Sequence, residues 1–527
     1  MSKINIKSSI LHRPQNSSVL FLLLVSSLII LIRSSWVGDD AYITLRTVDN
    51  YLHGLGLTWN PGERVQTFTH PLWFWMLVLV YAIFPKLSFA YFAILSLSLF
   101  CSIAVIWIAL RKYSGKALTM FLLWLMLVSS RAFIDYSTSG LENPASHLLA
   151  VLFLVIFLER NALGDNKIHL AYFIAGLATF NRMDNILLFL PATIYLMTQY
   201  PNKSWRFLLL GFLPFILWEI FSLFYFGFLF PNTAYAKLNT GISLSLYLKQ
   251  GVLYFINSLR WDPVTLLVIG ASLLLVSMRG KKEEKLIALG MGLYLLYVLY
   301  IGGDFMSGRF FSTVYLLGTI LLTSLFSNSR TLEQVVILLL ILAFGYAGTS
   351  PVFWDWRIDN KQMRALPGGD VAGIGDQREL WYEDSTLMNM DRVSVFPSHI
   401  ATEEGLRRRS QGGVFVEVQI GYLGFFAGPK TYIIDEYSLT DPLLARLPID
   451  DKSSWRIGHF SRLLPDGYLS SIESGTNMIS DPNLAEYYDK LKLIISGEIL
   501  NRERLETIWR MNTGQYDYLI ANYLNDK

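Results

Sequence analysis

The run Pro71-Leu72-Trp73-Phe74-Trp75-Met76-Leu77-Val78-Leu79-Val80-Tyr81-Ala82-Ile83-Phe84 decides how this chain folds, because its placement sets the side of every loop that follows. It is one of twelve apolar runs, near 19–33, 71–84, 88–110, 117–130, 145–158, 168–180, 185–198, 206–226, 262–278, 286–301, 311–326 and 333–348. A helix needs about 20 apolar residues to cross a bilayer, and the shorter runs must borrow flanking aromatics. Basic residues mark the cytoplasmic side of such a protein. Here they are Lys3, Lys7 and Arg13, then Arg111, Lys112 and Lys116, Arg160 with Lys167, Lys203 with Arg206, the segment Arg279–Lys285, and Arg330. If run 71–84 crosses, every basic loop between Arg111 and Arg330 falls outside. If it lies in the interface, all of them fall inside. Its Trp73, Phe74, Trp75, Tyr81 and Phe84 suit a helix at headgroup level. The pattern therefore predicts about eleven spans plus an interfacial helix, with the N-terminus cytoplasmic and everything after 348 on the outer face.

Composition divides the chain the same way. Hydrophobic residues make up 53% of the 527 residues and charged ones 16%, against about 25% charged in a soluble globular protein. Of 44 basic and 41 acidic residues, 45 lie in 351–527. This predicts a transmembrane domain over 1–349 and a soluble α/β domain over 350–527. In the latter, Val414–Ile420, Thr431–Ile434 and Tyr518–Ile520 read as strands, and Leu484–Ile495 and Arg502–Met511 as helices. Net charge of +3 is too small to argue for nucleic acid. The single cysteine, Cys101, permits no intrachain disulfide, and no Cys/His zinc pattern exists. No A-x-A cleavage site follows the first run, which reads as an uncleaved span.

The predicted outer loops hold the unusual polar residues. The first opens Trp36-Val37-Gly38-Asp39-Asp40-Ala41-Tyr42. Two adjacent carboxylates at membrane level are costly, and their repulsion suits a general base or a ligand for a divalent cation such as Mg²⁺ or Mn²⁺. A plain Gly-Asp-Asp turn is the bland alternative. The same loop carries Arg46 and His70; a His before Pro is more often a helix cap than a catalyst. Later loops contribute Glu142, Arg182 with Asp184, Lys237, and Asp304 with Arg309. Arg182, Lys237 and Arg309 are suited to holding a phosphate, although each alone could be a snorkelling interfacial cation. Cations and carboxylates on one face point to group transfer from a lipid-linked phosphate donor. That chemistry needs no ATP, and no P-loop or Rossmann fingerprint is present.

These same residues carry a resemblance. Gly38-Asp39-Asp40-Ala41-Tyr42, with Arg46, Asp49-Asn50, His53-Gly54, Trp59-Asn60-Pro61-Gly62-Glu63 and Thr69-His70-Pro71-Leu72-Trp73, resembles the AftB-like terminal arabinofuranosyltransferases of the GT-C superfamily. So do Thr138-Ser139-Gly140-Leu141-Glu142, Pro231-Asn232-Thr233 with Lys237, Gly303-Asp304-Phe305-Met306 with Arg309-Phe310, Gly421-Tyr422, and Asp441 to Pro448. The resemblance implies a bacterial inner-membrane enzyme that moves a sugar, D-arabinofuranose, from a polyprenyl phosphate to a cell-envelope glycan or glycoprotein. It maps the essential acid of the first outer loop onto Asp39 or Asp40, with Asp40 preferred. Arg182, Lys237 and Arg309 then hold the donor phosphate, while Arg46, His70, Glu142 and Asp304 line the sugar and acceptor site. Where the family reads Arg-Pro-Asp, this chain has Arg182-Met183-Asp184. The rival reading is a lipid or solute transporter or flippase, which should instead carry ionisable residues at mid-membrane and internal repeats. Another is a non-catalytic envelope-assembly protein.

Overall fold

The computed structural model describes residues 16–159, 168–327, 373–392, 396–452 and 455–525, with four single positions between 333 and 343. The predicted run at 333–348 otherwise lies outside them, as do Lys3, Lys7, Arg13, Arg160, Lys167 and Arg330. Eleven of the twelve apolar runs form helices: Ser17–Arg33, Pro71–Tyr81, Leu87–Arg111, Ala117–Ser129, Asn143–Leu158, Ile168–Asn181, Ile186–Gln199, Pro201–Tyr225, Pro263–Arg279, Lys282–Tyr300 and Phe311–Phe326. Leu87–Arg111 and Ser204–Tyr225 are long and apolar enough by themselves to cross a membrane. Leu244–Trp261 and Pro263–Arg279 pass that test together but bend by 112° at Asp262. The architecture is compatible with a helical membrane protein.

Helix Pro71–Tyr81 is 11 residues long, about 16 Å at 1.5 Å per residue, against about 30 Å of hydrocarbon. The five aromatics of run 71–84 differ in exposure: Trp75 is half-buried and Phe84, just past the helix, is exposed. Trp73, Phe74 and Tyr81 are buried in protein, and the Trp73 indole donates to the Gly140 carbonyl at 3.2 Å.

Two long stretches expected as outer loop are helical. Asp39–Leu52 and Leu244–Trp261 are amphipathic rather than uniformly apolar, so a search for continuous apolar runs passes over them. Helix Asp39–Leu52 starts after Gly38, whose N–H donates to the Ser139 carbonyl at 3.0 Å. Its first turn is Asp39-Asp40, where carboxylates favour the positive end of the helix dipole.

Beyond residue 400, strands β1 (Gly413–Glu417) and β2 (Thr431–Asp435) pair in parallel, Gly413 opposite Thr431 and Glu417 opposite Asp435. Tyr518–Ile520 is not a strand; it belongs to helix Asp517–Asn525. Leu519 and Tyr523, one turn apart, are its buried residues, a helical spacing that a three-residue β-rich window conceals. The crossover helix between the strands, Tyr422–Ala427, packs on helix Asp39–Leu52. Tyr42 meets Tyr422 edge-on at 4.8 Å and Phe425 at 5.3 Å. Helix Gln377–Ser385 is tied down by Arg378, which pairs with Asp135 at 3.1 Å, and by Tyr382, whose hydroxyl donates to the Arg33 carbonyl at 2.6 Å.

Candidate active site

The adjacent carboxylates Asp39 and Asp40 have different environments. Asp39 is buried and accepts from the backbone N–H groups of Gly421 at 2.9 Å and Tyr422 at 2.7 Å. Burial pushes its pKa up to about 6, against the pull of the Tyr422 N–H, while Asp40 pushes it further up. Asp40 is half-buried, lines a cavity of about 230 Å³, and has no hydrogen-bond or ion-pair partner among the described residues. Its pKa is also raised, first by burial; Arg309 and Lys237 pull it down, while Asp304 and Glu142 push it up. For both carboxyls burial outranks mutual repulsion as the cause.

Glu142 is the hub of the charged cluster. It is fully buried. It accepts from Arg182 at 2.6 Å and from Arg309 at 3.0 and 3.2 Å, and His70 Nδ1 stands 3.3 Å away. Burial pushes its pKa up, but the Arg309 and Arg182 guanidinium groups outweigh this and hold the carboxyl well below the usual range. Arg182 also forks onto Asp184 at 2.9 and 2.7 Å, and Arg309 reaches Asp304 at 3.3 Å. Burial lowers the His70 pKa to about 4 despite Glu142, so the ring is neutral near pH 7 and its 3.3 Å approach to Glu142 is not an ion pair there. His70 occupies the cap position of helix Pro71–Tyr81 without its side chain capping it. The ring instead meets the Thr44 hydroxyl at 2.9 Å through Nε2.

The three expected phosphate cations therefore separate. Arg182 and Arg309 are already engaged by carboxylates. Lys237, in the last turn of helix Asn232–Leu238, is exposed and makes no ion pair among the described residues. It borders the cavity that holds Asp40 and also a second, larger one of about 410 Å³. Lys237 and Gly458 form the wall the two share. The second cavity is largely apolar, lined by Ile242, Leu244, Tyr297, Tyr300 and Ile301, with Asp304 beside Lys237.

The structure brings Asp39, Asp40, His70, Glu142, Arg182, Lys237, Asp304 and Arg309 into one neighbourhood, joined through Glu142 and through the electrostatic reach of Asp40. Arg46 it leaves out. That side chain is fully buried over the Trp59 ring and donates to the carbonyls of Trp59, Gly424 and Thr431 at 2.9, 2.7 and 2.7 Å. It braces the first outer segment against the crossover helix and β2.

Trp381 lines the Asp40 cavity. Tyr382, Tyr422 and Tyr468 are buried with their hydroxyls bound to Arg33, Val37 and Asp441. Gln377, Gln419, Arg456 and His459 also line that cavity. Sequence reading assigns Gln377 and Gln419 nothing, and Arg456 and His459 enter it only within the run Arg456-Ile457-Gly458-His459 of the resemblance, without a role. The Asp304–Arg309 loop is itself held from the C-terminal half. Gly375 N–H donates to the Phe305 carbonyl at 2.9 Å, and Ser307 N–H to the Gly375 carbonyl at 3.0 Å. Among the described residues no three His, Cys, Asp or Glu side chains converge as a metal-ligand set.

No family model matches the chain. Two curated proteins are similar to it. The terminal beta-(1->2)-arabinofuranosyltransferase of Mycobacterium tuberculosis is 28% identical over 52% of this chain and 50% of its own length. The protein of the same name from Corynebacterium glutamicum is 27% identical over 52% of this chain and 46% of its own length. The chain thus spans about half the length of the curated relatives it matches. Their similarity supports an AftB-like family for this chain.

Proposed function

We propose that this chain is a membrane glycosyltransferase that moves a sugar, D-arabinofuranose, from a polyprenyl phosphate to a glycan or glycoprotein of the cell envelope, on the outer face of a bacterial inner membrane. The observation that carries the reading is the Asp40 carboxylate, without a hydrogen-bond or ion-pair partner among the described residues, in a cavity that shares Lys237 with a second, larger one. The apolar cavity takes the polyprenyl chain, Lys237 the phosphate, and the Asp40 cavity the acceptor. Asp40 removes the proton from an acceptor hydroxyl as its oxygen bonds to the anomeric carbon. The bond from that carbon to the phosphate oxygen breaks, and the polyprenyl phosphate leaves with the electron pair, its charge met by Lys237. Arg309 and Arg182, fixed by Glu142, supply positive potential behind it. The eleven-span GT-C arrangement, with an outer domain over 350–527, belongs to the same proposal. The names of the two relatives support the sugar and the reaction class.

The test incubates purified protein with radiolabelled polyprenyl-phosphate arabinofuranose and short acceptor glycans, with Mg²⁺, Mn²⁺ or EDTA. Label on a glycan, reduced about 10²- to 10⁴-fold in Asp40→Asn, is the expected result. Transfer from a different polyprenyl-phosphate sugar would overturn the sugar, and donor binding without transfer to any acceptor would overturn the reaction.

A further inference from the structure

Helix Pro201–Tyr225 presents Leu209, Leu213, Leu217, Ile220 and Phe224 outward at helical spacing. Only 17% of its most apolar window is buried inside the protein. A stripe of this length and hydropathy is stable when lipid covers it. At the end of that stripe lies helix Arg502–Asn512. Its buried Arg504 donates to the carbonyls of Phe224 at 3.0 Å and Tyr225 at 2.8 Å, and Asn512 donates to that of Gly227 at 2.8 Å.

The rest of this helix is polarised around that anchor. Arg504, Thr507, Ile508 and Met511 are buried. At 100° per residue, Leu505 and Trp509 fall on one flank, while Glu503 and Arg510 fall on the other. Trp509 is 68% exposed, Leu505 is exposed one turn earlier, and Leu500, just before the helix, is 78% exposed. Arg510 pairs with Glu506. Large apolar side chains thus stand exposed on one flank of a helix that is itself bonded to the last residues of the stripe.

We propose that Leu500, Leu505 and Trp509 seat the C-terminal helices in the headgroup boundary of the bilayer that covers Pro201–Tyr225, making Arg502–Asn512 an interfacial anchor. The occupant is phospholipid, by continuity with the lipid-facing stripe. The inference rests on the membrane reading of the chain and is independent of the sugar-transfer reading.

The full-length protein is placed in phosphatidylcholine nanodiscs with and without a lipid spin-labelled near the headgroup. Trp509→Cys, Leu505→Cys and Glu503→Cys each carry an environment-sensitive fluorophore, and unsubstituted protein, with only the buried Cys101, supplies the background. The expected result is a blue-shifted emission at 505 and 509, with quenching by the spin-labelled lipid at least twofold stronger than at 503. Equal quenching at all three sites would overturn the proposal. So would a blue shift at 505 and 509 without lipid quenching, which would assign the patch to a second copy or another protein. Two labelled sites on one flank guard against a folding defect in either variant.

Discussion

Replacing Gly421 with alanine tests how Asp40 is held. A methyl group at 421 would stand 1.9 Å from the Asp39 carbonyl oxygen and 2.6 Å from the Asp39 carboxyl carbon. Relief to the 3.0 Å floor of real contacts needs a displacement of about 1.1 Å. The obstructing atoms belong to the residue directly before Asp40, and the oxygen is backbone, so the shift passes to the base. Gly421 has φ −74°, which alanine adopts without strain, so crowding is the whole perturbation. Overpacking of this kind costs about 1–3 kcal/mol of stability. A misplacement of about 1 Å at a reacting group costs about 10²-fold in rate, or about 2.7 kcal/mol. The expected outcome is a roughly hundredfold fall in transfer with polyprenyl-phosphate donor affinity held within about twofold. Gly424→Ala is the control. Its methyl would meet the Trp59 ring at 2.8 Å and Arg46 at 3.3 Å but not Asp39, so it should lower the melting temperature with a much smaller loss of turnover. Transfer by Gly421→Ala within threefold of wild type would refute the claim that the Asp39–Gly421 contact sets the position of Asp40.

Glu142→Gln leaves Arg182 and Arg309 without their shared buried carboxylate, a loss of about 3–5 kcal/mol measured by thermal or denaturant unfolding. Because the folded-state pKa of Glu142 is depressed, its contribution is present above the ordinary value of 4.5 and vanishes as pH falls through the folded value; the gap between wild type and variant should close in acid. Asp40 must be ionised to act as a base, and its pKa is raised, so the acidic limb of the kcat/KM profile should lie above 3.8. Lys237 pulls that pKa down, so Lys237→Ala should move the limb to higher pH, whereas an unmoved limb would detach Asp40 from the rate. Lys237→Ala should also weaken donor binding about tenfold, roughly 1.4 kcal/mol for a lost charged contact, with Lys237→Arg retaining most of it; equal affinity in both variants would place the phosphate elsewhere.

Uniform apolar runs are visible in a sequence because composition alone reports them, and all eleven that lie among the described residues are helices. Amphipathic segments such as Leu244–Trp261 were hidden because their polar residues interrupt any apolar run. The site residues were legible as residue types that are costly at membrane level, but their pairing was not. Arg182 and Arg309 read as phosphate ligands until the fold placed Glu142 between them, and Arg46 read as a site residue until it was seen bonded to three backbone carbonyls.

Asp39 and Asp40 make the division plain. The sequence by itself determined that two adjacent carboxylates follow directly where an apolar run has just ended, and it pointed to cations from later loops beside them. Tertiary structure alone decided which carboxylate is spent on backbone N–H groups and which is left open. The donors that claim Asp39 come from Gly421 and Tyr422, 382 and 383 residues away, and a hydrogen bond acts over about 3 Å of space, whatever the length of chain between its ends.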